Sequence, residues 1–372
     1  MMKVLHIESG RHLYGGAKQV LHIMEGLSRR GVDNLLACPR GAEIAAPARQ
    51  HGEVVEMRMA GDADAGLALR VLRLVAQHRP DIVHVHSRRG ADLWGGIGAR
   101  LARVPVVLSR RVDNREPRWL AGIKYPLYDH VIAISEGIRA VLIEAGLRPA
   151  QLSCVRSAVD ASPFLREYDK AAYRAAHGLA ADTPMVGMVA QLIRRKGHRH
   201  LIGALNTVLA ALPRLQVQIF GRGPLEAEIR QWIEAHGLTN NVHLMGFVDD
   251  LPARLGCLDV VVHPADMEGL GVSLLQAAAA GVPLLACRSG GIPEVVRHEH
   301  NGLLVDAGDV SALSAGLIRL LGDAGLRERL GRAGRELMVR EFSIEAMCEG
   351  NLAVYRQLLT PDGLALPVSL PA

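Results

Sequence analysis

The residues best suited to chemistry lie in "HPADMEGLGVSLLQAAAAGVPLLA", positions 263–286. Glu268 stands in a Gly-rich turn ahead of a helix-like apolar run, and Gln276 interrupts that run. Helix starts leave amides without intrahelical partners, here those near Leu270 to Ser273, and with the helix dipole they favour an anion. A carboxylate beside such an anion makes sense when it accepts hydrogen bonds from neutral hydroxyls on the same ligand. A phosphorylated sugar has both parts. Gln276, about two turns into the helix, reaches further hydroxyls such as those of a ribose. The plainer reading is a Glu that favours the helix dipole and a satisfied Gln.

A second strand–loop–helix stretch, "VAQLIRRKGHRHLIGAL" (189–205), carries Lys196 just before Gly197. The chain uses 38 Arg and only five Lys. A Lys where Arg is the habit, at a helix start, fits a compact charge meeting phosphate. Arg194 and Arg195 add charge, the alternative being a solvated basic turn. "LYGGAKQVL" (13–21) places Gly15 and Gly16 at a helix start after the first strand, where they could face a diphosphate. "FGRGPLEAEI" (220–229) and "RSGGIPEVV" (288–296) are further Gly-rich turns, each weak alone.

These stretches are positioned by a repeating strand–loop–helix rhythm. Runs such as "KVLHIE", "DIVHVHS", "VPVVLSR", "HVIAIS" and "LSCVRS", then "MVGMVAQ", "LQVQIFG", "NVHLMGF", "LDVVVHPA", "VPLLACR" and "GLLVDA", are near-continuously apolar. That is the signature of strands buried on both faces of a parallel sheet. Helices are expected between them, one over 17–31 capped by Gly31, another over about 343–359. The fold class is therefore α/β, with doubly wound sheets. Residues 160–184 contain two prolines and no strand, and a fresh series starts at Met185. The 372 residues suit about two domains: 1–163, 164–345, and a tail 346–372 with a last helix and a Pro-rich end that frays. Ligands of such sheets bind at the carboxyl ends of the strands, here in a cleft between the domains.

Together the stretches resemble glycosyltransferase family 4. They are "EGLGVSLLQAAAAGVPLLA…SGGIPEVV", the Lys-Gly after the first strand of the second domain, and the Gly-Gly after the first strand of the chain. The resemblance covers nearly the whole chain and implies retaining enzymes of the GT-B fold, two Rossmann-like domains that use nucleotide-activated sugars without a metal. It implies that Glu268 holds donor-sugar hydroxyls and that the amides of Gly269, Leu270, Gly271 and Val272 hold sugar and diphosphate. Lys196 would neutralise the diphosphate, Gly16 would touch it from the first domain, Phe247 and Val248 would face the base, and the last helix would cross back to the first domain. Three positions depart from the family pattern. Gln276 stands for a ribose-binding Glu, Gln191 for an Arg five positions before the Lys, and Arg111 for a His after "PVVLSRR". Arg is no general base at neutral pH, so Arg111 would bind an anionic acceptor or a donor phosphate. Glu268, Lys196 and Arg111 are the catalytic candidates. Gly16, Arg194, Arg195, Val248, Gly269 to Val272 and Gln276 are the donor-binding candidates.

Composition narrows the setting. The chain is 49% hydrophobic, 22% charged and only 3% aromatic, so it buries an aliphatic core. Five scattered cysteines without metal-ligand spacing suit a reduced, cytoplasmic protein. No apolar run reaches a membrane span, and "MMKVLHIESG" lacks a secretory pattern. Residues 1–160 hold 23 Lys/Arg against 16 Asp/Glu, while the rest hold 20 against 22. A basic first half suggests an anionic partner. "SRRVDNREPRWLAGIKYPLYDH" (109–130), with Arg110, Arg111, Arg115, Arg118, Lys124, Trp119, Tyr125 and Tyr128, suits an anionic inner-membrane surface. With "HSRRGADLW" (86–94) it suits the acceptor side of a lipid-linked or phosphorylated saccharide, as in envelope polysaccharide or lipopolysaccharide assembly. The donor is a UDP-, GDP- or ADP-sugar, and nucleic acid is not expected, since no nucleic-acid fold signature is present. Asp62 and Asp64 read as a loop, and the pairs His84/His86, His198/His200 and His298/His300 as structural or exposed. No cofactor or metal is expected. The competing classes are a non-catalytic nucleotide-sugar-binding subunit and a non-hydrolysing nucleotide-sugar 2-epimerase.

Overall fold

A computed structural model of the chain describes residues 1–86 and 90–360. Two expectations from the sequence lie partly or wholly outside them: residues 87–89 of the 86–94 stretch, and the Pro-rich end beyond 360. The chain forms two compact units. The first comprises Met1–Ala158 and the chain from Ile344; the second is Val159–Ser343. The sequence reading divides the chain at 163 and 346. Val159 N donates to Phe342 O at 2.8 Å, so the second unit closes on itself before the stretch expected to link the domains.

The first unit has a seven-stranded sheet in the order β3-β2-β1-β4-β5-β6-β7. Its strands are β1 (Lys3–Ile7), β2 (Asp33–Pro39), β3 (Glu53–Met57), β4 (Ile82–Val85), β5 (Val106–Arg110), β6 (His130–Ala133) and β7 (Leu152–Cys154). The second has six in the order β10-β9-β8-β11-β12-β13. These are β8 (Met185–Val189), β9 (Gln216–Phe220), β10 (Val242–Gly246), β11 (Val260–His263), β12 (Leu284–Cys287) and β13 (Gly302–Val305). Every paired strand is parallel. Each sheet reverses direction of growth beside its first strand, between β1 and β4 and between β8 and β11. At such a switch point the loops beyond the carboxyl ends diverge and leave room for ligand.

Burial explains the strands. β4, β6, β11 and β12 are buried at every residue, as covered parallel strands require. The core of the second unit joins Val186, Met188, Leu201, Leu205, Val217 and Val262 to Leu317 and Leu330 of the outer helices. The helix expected over 17–31 runs Gly15–Ser28. The last helix, Ile344–Leu359, packs Met347, Leu352 and Tyr355 onto Val4, Ile23 and Ile82 of the first unit. Residues 160–184, read as strandless, hold the short helix Lys170–Ala176, capped by Asp169, which accepts from Ala172 N at 2.8 Å. No helix among the described residues is long and apolar enough to cross a membrane.

Candidate functional site

In the second unit, β8, β11 and β12 are neighbours, so the loops that leave them meet at one sheet edge. The loop after β8 lies against the loop after β11. Asp266 N donates to Arg195 O at 2.9 Å, and Asp266 also receives Arg199 (3.1 Å) and His200 (2.8 Å). His200 thus has the carboxylate partner that its sequence context did not offer. Gly197 makes the approach possible. Its φ is +75°, and a Cβ there would sit 1.8 Å from Pro264 O. The loop after β12 completes the set: Ser289 Oγ donates to Ala265 O at 2.9 Å, and Gly291 N to Glu268 O at 3.1 Å.

These loops bring Lys196 and Glu268 together across 72 residues of sequence. Lys196 Nζ donates to Glu268 Oε2 in a short hydrogen bond. His263 Nε2 reaches the same oxygen at 2.9 Å, and Gly269 N reaches Oε1 at 3.2 Å. A carboxylate only accepts, so His263 donates. Burial alone would raise the Glu268 pKa. The hydrogen bond and electrostatic interaction with His263, together with the charge and hydrogen bond of Lys196, outweigh it and hold the carboxyl well below its usual range. Glu268 is therefore an anion in a nearly buried setting, with lone pairs left on Oε1. The helix Val272–Ala279 starts beyond it from Gly271, which offers no side-chain cap.

The other donor-side candidates divide. Gly269, Leu270 and Gly271 are buried, so their main chain is what they can offer a ligand. Val272 and Gln276 are half-buried on the same helix, and Val248 is half-buried after β10. Phe247 is exposed and lies under the Arg222 guanidinium, 5.5 Å from its ring centroid. Arg194 points outward, with Glu228 at 4.0 Å, and Arg195 contributes its carbonyl to the loop junction. Neither arginine is seen at Glu268 alongside Lys196. His263 was missed. It stood inside the quoted motif, but only the turn of five residues that folds Glu268 back onto the strand end makes it a partner.

In the first unit, Gly16 lies in the first turn of the first helix, and a Cβ on it would meet Arg111 Cδ at 3.9 Å. Burial pushes the Arg111 pKa down to about 10, against the nearby carboxylate of Glu8, which raises it. Beneath Arg111 lie three fully buried imidazoles, His6, His84 and His86. His6 Nδ1 meets His86 Nε2 at 2.9 Å, His6 Nε2 meets Asn34 Oδ1 at 3.1 Å, and Arg111 Nη2 meets His86 Nδ1 at 3.4 Å. His84 bonds Tyr355 OH at 2.5 Å and Ser109 Oγ at 2.8 Å. Burial holds His6 down to about 4 and His84 and His86 well below the usual imidazole range.

The basic–aromatic stretch 109–130 is divided, with four of the eight basic and aromatic side chains named for a membrane surface buried inside the unit. Arg110 is buried against Glu116 at 3.1 Å. Lys124 is buried between Glu116 (2.5 Å) and Asp92 (3.2 Å). Tyr125 and Tyr128 are buried too. The exposed residues include Arg115, Arg118, Trp119 (69% exposed) and Ile123 (58%). Asp64 is taken by Arg70 at 2.6 Å and by Ala60 N at 2.8 Å.

Two parallel α/β units, each with its functional candidates at the switch point, define the GT-B type of fold. Solved structures agree. A glycosyltransferase from Rickettsia africae superposes with a TM-score of 0.86 over 97% of this chain and 99% of its own, at 17% identity. Anabaena HepE, solved with UDP and glucose, gives 0.83 over 96% and 100%, at 21% identity. Residues 14–163 match "Glycosyltransferase Family 4" and residues 169–337 match "Glycosyl transferases group 1". A GDP-mannose-dependent monoacylated alpha-(1-6)-phosphatidylinositol monomannoside mannosyltransferase of Corynebacterium glutamicum is 38% identical. That match spans about half of each protein, 49% of this chain and 49% of the relative. A GDP-mannose-dependent alpha-(1-6)-phosphatidylinositol monomannoside mannosyltransferase of Mycolicibacterium smegmatis is 30% identical over 72% of this chain and 74% of its own length. The lipopolysaccharide core biosynthesis glycosyltransferase LpsE of Rhizobium meliloti is 26% identical over 96% and 99%. The chain belongs to glycosyltransferase family 4.

Proposed function

We propose that the protein moves a sugar, with retention, from a nucleotide-sugar to a hydroxyl of a lipid-linked or phosphorylated saccharide acceptor. The observation that carries this reading is the Lys196–Glu268–His263 cluster at the start of the helix Val272–Ala279. A carboxylate kept ionised suits sugar hydroxyls, and a buried ammonium beside bare amides suits diphosphate. As the bond between the anomeric carbon and the diphosphate oxygen breaks, Lys196 and the helix start stabilise the departing charge. The acceptor hydroxyl attacks from the same face, and its proton passes to the leaving phosphate oxygen. No base on the opposite face is required, and no step runs through a metal.

Relatives that use GDP-mannose on phosphatidylinositol mannosides, and one that acts in lipopolysaccharide core synthesis, support an anionic or lipid-linked acceptor. Arg111 is the group in this chain suited to its anion. The base remains among UDP, GDP and ADP. The place of work is the cytoplasm, at the inner membrane face, where Trp119 and Ile123, flanked by Arg115 and Arg118, would touch anionic lipid.

The test is a thermal-shift panel of UDP-, GDP- and ADP-sugars on wild type and Glu268→Ala. A ligand bound only by the folded state raises Tm by mass action. One nucleotide-sugar is expected to stabilise wild type, with the sugar-dependent part lost in the variant. No shift from any of them in wild type would overturn the reading and favour a partner-dependent, non-catalytic role.

A further inference from the structure

One partner of Arg111, His86, is neutral, and its tautomer is forced by a chain of hydrogen bonds. Asn34 Nδ2 donates to the carbonyls of Met24 (2.9 Å) and His51 (3.0 Å), so its oxygen is the atom that faces His6 Nε2. An amide oxygen only accepts, which puts the His6 proton on Nε2. His6 is neutral at pH 7, because burial lowers its pKa to about 4. Its Nδ1 therefore has only a lone pair and must accept from His86 Nε2. With that proton on Nε2, neutral His86 turns the lone pair of Nδ1 toward Arg111 Nη2, at 3.4 Å. The His84 ring, 3.8 Å from the His86 ring and itself engaged by Tyr355 and Ser109, fixes the imidazole from its face.

Arg110 gives the contrast one residue earlier. It is buried and neutralised by Glu116. Arg111 instead meets an imidazole, which orients the guanidinium and adds no charge of its own, while the nearby Glu8 carboxylate favours its charged form. Its Nε is also shut from solvent with no hydrogen-bond partner among the described residues. We propose that Asn34, His6 and His86 form a positioning relay that fixes one tautomer of His86 and so presents Arg111, still charged, to a phosphoryl group of the acceptor. This rests on the reading of the protein as a transferase with an anionic acceptor. A divalent cation on the three imidazoles is the rival use of the same cluster. It would have to replace the His6–His86 hydrogen bond and one of the bonds from His84 to Tyr355 or Ser109, and sit near the Arg111 cation.

Long-range 1H–15N spectra of the full chain labelled with 15N-histidine test the relay without knowledge of the substrate. His6 and His86 are expected as Nε2–H tautomers at pH 7. Glycerol 3-phosphate, a probe for a phosphorylated acceptor, is expected to shift His86 Nδ1 in wild type and not in Arg111→Gln. An Nδ1–H tautomer at His86, no response to the probe, or one divalent ion per chain bound by the three histidines would overturn the proposal. In turnover with the donor selected by the thermal panel, Arg111→Gln and His86→Phe are expected to raise the acceptor KM by about tenfold or more. The donor-induced Tm shift should stay in place, and Arg111→Lys should recover part of the loss. An unchanged acceptor KM in both variants would also overturn it. If no nucleotide-sugar binds, the transferase reading falls, and the spectra still decide the relay.

Discussion

The side chains of Lys196 and Glu268 are only 11% and 12% exposed, so each depends on the other for its charge to be tolerated. Removing one partner of a buried pair leaves an uncompensated ion, at about 3–5 kcal/mol. Lys196→Met and Glu268→Leu are each expected to destabilise, and the double variant by less than their sum, measured by urea unfolding of all four proteins. Additive losses would mean that the pair does not couple in solution. Lys196→Arg is not expected to rescue, since a planar fork does not fit where a compact ammonium meets one carboxylate oxygen. Gly197→Ala combines a left-handed φ with a Cβ 1.8 Å from Pro264 O. It is expected to cost about 2 kcal/mol or more in the same measurement. Lys196, Gly197 and Glu268 were legible because a rare Lys and glycines stood directly after apolar strands. His263 and the Asn34–His6–His86 chain were not, since their roles rest on pairings between strands and turns that no local spacing specifies. Tyr355 reaches His84 across 271 residues.

At the scale of elements, the last helix shows how close packing decides a sign. Glycine in the interior of the helix Gly15–Ser28 would ordinarily be improved by Ala, by about 0.5–1 kcal/mol. At Gly26 a Cβ would fall 2.1 Å from Cys348 Sγ of the helix Ile344–Leu359. Gly26→Ala is therefore expected to destabilise by about 1–3 kcal/mol, and Cys348→Ala to recover part of that in the double variant. A neutral or stabilising Gly26→Ala would mean that the two helices separate readily. The strands followed the same division between local and long-range information. Eleven were legible as apolar runs with short loops. β2, "DNLLACP", was missed because it carries a buried Asn34 and ends in proline. β3, "EVVEM", was missed because an edge strand alternates charge with apolar residues and lacks the continuous run of a covered one.

Across the whole molecule, histidines with lowered pKa values are distributed unevenly between the two units. His6 and His130 are held down to about 4, and His84 and His86 well below the usual range, in every case chiefly by burial. All four belong to the first unit. The second unit has His198, also down to about 4, and His243, lowered less. A histidine whose folded pKa is depressed binds its proton in the unfolded chain first. Between about pH 6.5 and 4 the unfolded state thus holds more protons, and stability falls as pH falls, by up to about 1.4 kcal/mol per pH unit for each such group. Glu268 works in a lower window: its depressed pKa contributes stability that is lost only below about pH 4.5. The first unit is therefore expected to weaken before the second on acidification from pH 7 to 5. Trp232 is the only tryptophan of the second unit and Trp94 and Trp119 lie in the first, so fluorescence of Trp232→Phe follows the first unit alone. Its urea midpoint should drop over that range, and His130→Asn, which removes one of the four imidazoles, should make the drop shallower. A midpoint that stays flat from pH 7 to 5 would mean that these imidazoles are not held neutral by burial, and with that the forced tautomer beneath Arg111 would lose its foundation.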